Sequence, residues 1–172
     1  ESACLKMGAK VYGATSLGPY CVVGGEIKNS VLFGYSNKAH DGYLGDSVLG
    51  EWCNLGAGTT NSNLKNNASE VRIWTPGGEL NAGIKCGVMM GDYTRTSINT
   101  AINTGTVIGV SANVYGAGLT PKYIPSFSWG SDGVQRYDLE KALLDIADWK
   151  KLKNQVLTED EKSILKAVYE KF

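Results

Sequence analysis

Residues 36–64 read SNKAHDGYLGDSVLGEWCNLGAGTTNSNL, and the fold class follows from this stretch. Within it, the pair Leu49-Gly50 is followed six residues later by the pair Leu55-Gly56. A spacing of six matches neither the helical period of 3.6 nor the strand period of two. It fits a coil of three short strands, in which each flat face points one aliphatic side chain inward and small residues occupy the turns.

The same period runs through much of the chain. Its members are, in order, Leu5, Val11, Leu17, Val23, Ile84, Met90, Thr96, Ile102, Ile108 and Val114. Glycine is also unusually common, at 22 of 172 residues against a typical ~7 %, and tight turns explain the excess. Stacked coils bury a continuous apolar column and pair each strand with the coils above and below. We therefore predict an all-β fold, a parallel β-helix of hexapeptide repeats, rather than a β-sandwich with accidental spacing.

The period is interrupted twice. It shifts within residues 24–44 and stops altogether within residues 63–83. In the second interval, a short β-branched run and a Pro76-Gly77-Gly78 turn predict a β-hairpin that projects from the stack, as an insertion of about residues 65–83. Trp74 near its tip either reaches a neighbouring subunit or covers its own hairpin.

Beyond residue 120 the pattern becomes helical. We predict a β-helix domain over residues 1–120 and a tail over residues 121–172, made of an extended segment and two helices. The apolar stripe of the first helix comprises Leu139, Leu143, Ile146, Trp149 and Leu152. The run from Thr158 to Glu161 is a capping box for the second helix. The stripe of that second helix comprises Ile164, Leu165, Val168, Tyr169 and Phe172.

Composition argues against several classes of function. Lys plus Arg and Asp plus Glu both total 17, so no basic surface indicates a nucleic-acid partner. No apolar run approaches the roughly 20 residues that span a bilayer, and the N-terminus does not resemble a signal peptide. The four cysteines are widely spaced and lack a CxxC pair, which argues against a metal site. Reduced thiols in a cytoplasmic protein are the simplest interpretation.

One side chain stands out as a candidate for chemistry. His40 is the only histidine of the chain. Histidine ordinarily titrates near neutral pH, so His40 is the first candidate for moving a proton. Tyr43 follows closely, and Asn54 precedes the small-residue run LGAGT. Polar side chains beside a wall of Gly and Ala predict a pocket, although a lone histidine is otherwise an ordinary hydrogen-bonded residue.

Taken together, these features resemble a known family. The segments HDGYLGD from His40 and NLGAGT from Asn54, with EIKNS from Glu26 and SIN from Ser97, are similar to one type of acetyltransferase domain. It is the left-handed β-helix domain of bifunctional sugar-1-phosphate enzymes of the N-acetylglucosamine-1-phosphate uridyltransferase type. The resemblance covers roughly residues 5–118. It implies a left-handed coil and a homotrimer with active sites between subunits.

The resemblance also implies an N-terminal nucleotidyltransferase domain, which would use Mg²⁺. The chain lacks an initiator Met and begins inside a periodic pattern, so we expect a fragment of such a longer protein. The implied activity is acetyl-CoA-dependent N-acetyl transfer to an amino-sugar 1-phosphate such as glucosamine 1-phosphate, in UDP-N-acetylglucosamine-type synthesis. His40 would act as general base, and no metal takes part in the transfer. The implied sugar- and phosphate-binding residues are Lys6, Lys28, Tyr43, Asn54 and Asn63. The implied lining of the coenzyme-A channel is Ala57, Gly58, Ile98, Gly116 and Ala117.

The chain departs from the family pattern in several places. His40 stands one residue closer to the preceding glycine than is usual. Leu64 replaces an expected tyrosine, Lys65 lies only near the place of an expected lysine, and Lys6 stands in for a missing arginine. A non-catalytic trimerisation scaffold of a sugar-1-phosphate nucleotidyltransferase therefore stays open as an alternative. A β-helix carbonic anhydrase is rejected, because its metal needs several histidines.

Overall fold

The structure is a computed structural model that describes residues 2–171, and it shows a parallel β-helix of about seven stacked coils. The predicted fold class is therefore confirmed. The first three coils contain β1 (Cys4–Leu5), β2 (Lys10–Tyr12), β3 (Ser16–Leu17), β4 (Val22–Val23), β5 (Glu26–Lys28), β6 (Val31–Leu32), β7 (Asn37–Lys38), β8 (Tyr43–Gly45) and β9 (Val48–Leu49).

The later coils carry the remaining strands and lead into the tail. These strands are β10 (Asn54–Leu55), β11 (Thr60–Asn61), β12 (Arg72–Thr75), β13 (Gly78–Asn81), β14 (Met89–Met90), β15 (Arg95–Thr96), β16 (Ala101–Ile102), β17 (Val107–Ile108), β18 (Asn113–Val114), β19 (Tyr123–Ile124), β20 (Ser128–Trp129) and β21 (Gln135–Arg136). Two helices follow, α1 (Leu139–Lys151) and α2 (Glu159–Lys171).

The strands form three flat faces. Face A is the sheet β1-β4-β7-β10-β15-β18-β20, closed at its end by the antiparallel strand β21. Face B contains β2-β5-β8 and then β11-β16, and face C is the sheet β3-β6-β9-β14-β17-β19. All neighbouring strands within the coils pair in parallel, as expected when each coil adds one strand to each face.

The interior of the coils is the predicted apolar column. Most of the residues placed in it from the sequence are 6 % exposed or less, namely Val23, Met90, Thr96, Ile102, Ile108 and Val114. Ile84 was predicted wrongly, since it is 57 % exposed, whereas Leu5 lies in register with the buried Val23 but is 59 % exposed. Leu5 lies in the first coil, with no further coil of the described residues above it. Ile84 lies in the segment that returns from the hairpin, before β14 rejoins the stack.

The backbone pairing of face B is interrupted between β8 and β11, where the side chain of Asn61 replaces the missing backbone hydrogen bonds. The Gly45 N–H donates to Asn61 Oδ1 at 2.8 Å, and Asn61 Nδ2 donates back to the Gly45 carbonyl at 3.1 Å. Asn61 occupies an inward position and is 5 % exposed. A buried amide is stable there because it satisfies backbone groups that would otherwise be unpaired.

The corner before five of the face A strands is built on aromatic residues, whereas Ser111 takes the equivalent position before β18. Its left-handed backbone position, with φ between 55° and 62°, is taken by Tyr20, Tyr35, Trp52, Tyr93 and Phe127. Sequence analysis assigned such turns to glycine, since a side chain there costs about 1–2 kcal/mol. Aromatic stacking offsets that cost: the Tyr35 ring centroid lies 4.9 Å from that of Tyr20 and 4.2 Å from that of Trp52.

The inserted hairpin, β12 and β13, lies against the stack of its own chain. The Trp74 ring stacks on the ring of Tyr123 in β19, with centroids 3.7 Å apart. Val71 is fully buried, and a side chain at Gly105 would meet it, because an added Cβ would lie 2.5 Å from Val71 Cγ1. Trp74 therefore packs on a later coil rather than on its own hairpin.

The tail helices pack on the aromatic corner. The second apolar cluster joins corner and coil residues to both helices, and comprises Phe127, Tyr137, Ala142, Leu143, Ile146, Leu157 and Leu165. The capping box of α2 is confirmed, since the Glu161 N–H donates to Thr158 Oγ1 and the Thr158 N–H donates to Glu161 Oε2. Leu152 and Ile164 were wrongly placed on the packing stripes, being 75 % and 64 % exposed. Phe172 lies outside the described residues.

Candidate active site

The corner between β7 and β8, residues 39–42, presents the single histidine. The His40 side chain is exposed, and neither of its ring nitrogens is engaged by another of residues 2–171. Gly42 makes the corner possible: its φ is 117°, and an added Cβ would lie 2.1 Å from the Thr59 carbonyl oxygen. A side chain would therefore push this corner off the next coil.

A fully buried lysine supports this corner from inside the coil. Lys38 stands in the inward column of face A, after Val23 in register, and has no exposed surface. Its Nζ donates to the carbonyl oxygens of His40 and Asp41. Desolvation lowers the pKa of Lys38, while the charge of Asp41 opposes this shift. Lys38 occupies an inward position of the six-residue repeat. The sequence therefore indicated its place inside the coil, and our prediction missed it.

The corner lines a groove where faces A and B meet. We call it the His40 groove, and its main lining residues are Lys6, Asn37, His40, Asn54, Ala57, Ile98 and Lys153. Asp41, Gly58 and Asn99 line its adjoining part. The structure thus brings together six residues predicted from the sequence: His40, Asn54, Ala57, Gly58, Ile98 and Lys6.

The small-residue wall of the groove offers one free backbone donor. The Gly56 N–H donates to the Thr96 carbonyl at 3.1 Å, and the Gly58 N–H donates to the Asp41 carbonyl at 3.0 Å. Ala57 lies between them, and within the described chain its N–H has no acceptor. Within the run from Gly56 to Thr59, the Ala57 N–H is therefore the backbone donor left for the oxygen of a ligand.

The other predicted sugar-binding residues lie on the opposite side of the corner, on the outer surface of face B. Asn63 Nδ2 donates to the Tyr43 hydroxyl at 3.1 Å and also to Asp46. Asn29 Nδ2 donates to the other Asp46 oxygen at 3.2 Å. Lys28 lies on the same surface, half-buried and without an ion pair among the described residues. Asp46 organises this set and was missed from the sequence.

The tyrosines of this surface keep their hydroxyl protons at neutral pH. Burial, followed by the charges of Asp46 and Glu26, raises the pKa of Tyr43. The hydrogen bond that the Tyr12 hydroxyl donates to Glu26, 2.6 Å long, raises the pKa of Tyr12 to about 12. Both hydroxyls are therefore neutral hydrogen-bonding groups.

Three further predictions fall outside these clusters. Gly116 and Ala117 lie at the same corner as His40 but two coils beyond Ala57, and they do not line the groove. Leu64 and Lys65 line a separate pocket on face B, where Lys65 Nζ donates to the Glu70 carbonyl. Within residues 2–171 no three His, Cys, Asp or Glu side chains are placed to hold a metal, and no described helix is long and apolar enough to cross a membrane.

Comparison with known proteins identifies curated relatives that match half to two thirds of the chain. No family model matches the chain. Over 91 residues it is 40 % identical to the bifunctional sugar-1-phosphate nucleotidylyltransferase/acetyltransferase of Sulfurisphaera tokodaii, a match covering 52 % of this chain and 23 % of that protein. Over 84 residues it is 32 % identical to the bifunctional protein GlmU of Methanocaldococcus jannaschii, covering 49 % and 21 % respectively. The bifunctional protein GlmU of Synechococcus elongatus is 28 % identical over 119 residues, covering 68 % and 23 %.

These matches and the β-helix confirm the resemblance inferred from the sequence. The chain is related to bifunctional sugar-1-phosphate nucleotidyltransferase/acetyltransferases and has the coil expected of their acetyltransferase domain. It spans between a fifth and a quarter of the length of the relatives it matches.

Proposed function

We propose that this chain is an acetyl-CoA-dependent N-acetyltransferase domain acting on an amino-sugar 1-phosphate. One observation carries the proposal: the only imidazole of the chain stands exposed on a groove, beside a free backbone N–H and a row of amide and lysine side chains. A base, an oxyanion donor and polar binding groups are what transfer of an acyl group to an amine requires.

The chemical step needs the base first. An amino-sugar is largely an ammonium ion near neutral pH and becomes a nucleophile only on losing a proton. In the proposed step His40 accepts that proton while the nitrogen attacks the thioester carbonyl carbon of acetyl-CoA. The N–C bond forms, the C–S bond breaks, the nitrogen loses its second proton to the departing coenzyme-A thiolate, and the proton held by His40 passes to solvent. The Ala57 N–H is the donor available to the carbonyl oxygen as it becomes negative.

The binding groups lie on both sides of the His40 corner. Lys6 lines the groove itself, and Lys28 on face B has no ion pair within residues 2–171, so either ammonium suits a phosphate. Tyr43 and Asn63 form a hydrogen-bonded pair that suits sugar hydroxyls. The small side chains at Ala57 and Gly58 leave room for the pantetheine arm of coenzyme A. A homotrimer with sites between subunits would bring further groups to this corner.

Replacement of the base tests the proposal. His40→Ala should lower coenzyme-A release from acetyl-CoA and glucosamine 1-phosphate by at least about 100-fold, the usual contribution of a general base. The assay is thiol release, with galactosamine 1-phosphate and other amino-sugar 1-phosphates screened in parallel.

The control variant is Glu140→Ala, because it truncates an exposed side chain in the first turn of α1 that does not line the groove. Its turnover should stay near that of the parent chain. Full turnover in His40→Ala would remove His40 from the mechanism.

A second candidate function has its own support. Leu64 stands where the resemblance leads us to expect a tyrosine, and it lies 40 % exposed at a separate pocket away from Tyr43. A scaffold that trimerises a sugar-1-phosphate nucleotidyltransferase needs no intact sugar site. Absence of turnover with every acceptor in the screen, from a chain that still assembles, would favour this function.

A further inference from the structure

A lysine of the tail reaches across the chain into the His40 groove. Lys153 follows helix α1, and its Nζ donates three hydrogen bonds, each 3.0 Å long, to the carbonyls of Tyr20 and Tyr35 and to Asn37 Oδ1. A lysine ammonium has three donors and no acceptor, so its hydrogen-bonding capacity is filled. Lys153 therefore acts on the groove through these partners rather than by binding a ligand itself.

The hydrogen bond from Lys153 to Asn37 determines the orientation of the side-chain amides of Asn37 and Asn54. Because an ammonium only donates, the Asn37 atom that faces Lys153 has to be the oxygen. The Asn37 amide nitrogen then faces β10, where it donates to Asn54 Oδ1 at 3.3 Å. Since Asn54 accepts through its oxygen, its own amide nitrogen is turned away from Asn37. A positive charge at Lys153 thus dictates the orientation of Asn54, one coil further along face A.

The other register neighbour of Asn54 does not supply an acceptor for its amide nitrogen either. In the parallel register, Asn54 lies opposite Asn37 on one side and opposite Arg95 on the other. A guanidinium also only donates, so neither register neighbour offers an acceptor to the Asn54 N–H₂ group. Within residues 2–171 no acceptor is found for Asn54 Nδ2, and Asn54 lines the groove beside His40.

We propose that Lys153 is a positioning residue that, through Asn37, holds Asn54 as a hydrogen-bond donor toward an oxygen atom of the bound sugar. Naming the sugar as ligand rests on the proposed function, whereas the orientation of the amide does not. The geometry predicts that the sugar atom met by Asn54 is an acceptor, such as a hydroxyl or ring oxygen.

The tail does not need Lys153 to stay attached. Helices α1 and α2 are held by the apolar cluster around Ile146 and Leu165, and by the ion pair between Lys150 and Glu161. Variants that change the hydrogen bonds from Lys153 to Asn37 and from Asn37 to Asn54 in two different ways can therefore separate a positioning role from an anchoring role.

Two variants make this separation. Lys153→Met keeps the length of the side chain but removes the charge, so Asn37 is free to turn. Asn37→Asp keeps the shape and the bonds to Lys153, but the new carboxylate can only accept, so Asn54 must turn its nitrogen inward to donate. Both should raise the KM for the amino-sugar 1-phosphate about tenfold, the effect of losing one hydrogen bond, with the KM for acetyl-CoA unchanged.

Control variants and a second readout complete the test. Lys151→Met removes the same charge from an exposed site two residues away and should leave both KM values unchanged. Lys153→Arg, which still only donates, should recover much of the affinity for the sugar. The thermal unfolding midpoint should fall little in Lys153→Met and not at all in Asn37→Asp.

The orientation is measured without turnover by NMR. In ¹⁵N-labelled protein, the Asn54 side-chain amide resonances, identified by their loss in Asn54→Asp, should shift in both test variants and stay in place in Lys151→Met. If no acceptor is turned over, the proposed function fails while the amide shifts still decide the orientation. Unchanged amide resonances in Lys153→Met and Asn37→Asp would overturn the inference. It would also be overturned if the KM for the sugar rose only in Lys153→Met, in proportion to the loss of stability of that variant.

Discussion

At the scale of single residues, the least expected finding is a lysine in the interior of the β-helix. Lys38 occupies a position that valine or leucine fills in neighbouring coils, and it is fully buried. Burying an ammonium costs free energy unless hydrogen bonds compensate it. The carbonyls of His40 and Asp41 provide two such bonds, so Lys38 holds the corner that presents the histidine.

Replacing this lysine should separate activity from stability. Lys38→Met keeps an unbranched side chain in the column and removes a buried charge, a change that is often neutral or stabilising in protein interiors. We expect the free energy of unfolding of Lys38→Met to stay within about 1 kcal/mol of the parent value. Acetyl transfer should fall about tenfold, because the His40 corner loses two hydrogen bonds.

The two quantities are measured on the same preparations, by tryptophan fluorescence in urea and by thiol release. Turnover equal to that of the parent would show that the corner keeps its shape without Lys38. A large loss of stability with proportionate loss of turnover would show instead that the lysine serves the fold alone.

At the scale of elements, one carboxylate links both tail helices to the aromatic corner. Glu161 of α2 accepts from Lys150 of α1 and from the Tyr93 hydroxyl at the aromatic corner, and it also closes the capping box with Thr158. Burial raises the pKa of the Glu161 carboxyl, but the bonds from Lys150 and from the Thr158 N–H and hydroxyl outweigh it and hold the pKa at about 2. The ionised carboxylate therefore stabilises the docked tail.

This stabilisation should be lost in acid. Because the pKa of Glu161 is lower in the folded chain than its ordinary value of 4.5, its contribution is fully present above pH 4.5 and disappears as the pH falls toward 2. Glu161→Gln should cost about 2 kcal/mol at pH 7, as expected for hydrogen bonds to a charged group, and the difference between variant and parent should shrink below pH 4.5.

The measurement is urea unfolding followed by fluorescence across this range of pH. Glu159→Gln is the control, since that carboxylate pairs with Lys162 on the exposed side of the same helix. An equal pH dependence in parent and Glu161→Gln would exclude this carboxylate as a link between the tail helices and the aromatic corner.

The repeating elements and the local clusters could be predicted from the sequence. Contacts between residues far apart along the chain could not. The six-residue period predicted Met90 and Ile108 inside the coil, since period and burial are local properties. It also placed His40 beside Ala57, because consecutive coils bring residues one repeat apart together. It could not find Lys153, whose partner Asn37 lies 116 residues away with no repeat to connect them.

At the scale of the whole molecule, the three faces have different surfaces. The tail packs along the edge of face A, and face B is polar around Tyr43. The outer surface of face C carries an apolar row made of Val31, Val48, Met89 and Val107. At the far end of that row, Tyr123 is already covered by Trp74. We therefore expect face C to supply one of the two different patches that each subunit of a cyclic trimer needs.

A charge in this row should break the trimer. The parent chain should scatter light as three chains per particle, and Val48→Glu should scatter as one at the same micromolar concentration, because a carboxylate would be buried without a partner. Ser163→Glu adds the same charge on the exposed side of α2 and should leave the trimer intact. A monomeric parent chain would argue against sites shared between subunits.

The hydrogen bonds of Lys153 also have a consequence for biosynthesis. A ribosome completes the histidine corner and Asn54 early, but the amide between them acquires its proposed orientation only when Lys153, 116 residues after Asn37, has left the exit tunnel. A nascent or prematurely terminated polypeptide can therefore wind its coils correctly and still lack an oriented amide in the groove. On this proposal, competence to bind the sugar depends on translation of residue 153 and not only on completion of the coils that form the groove.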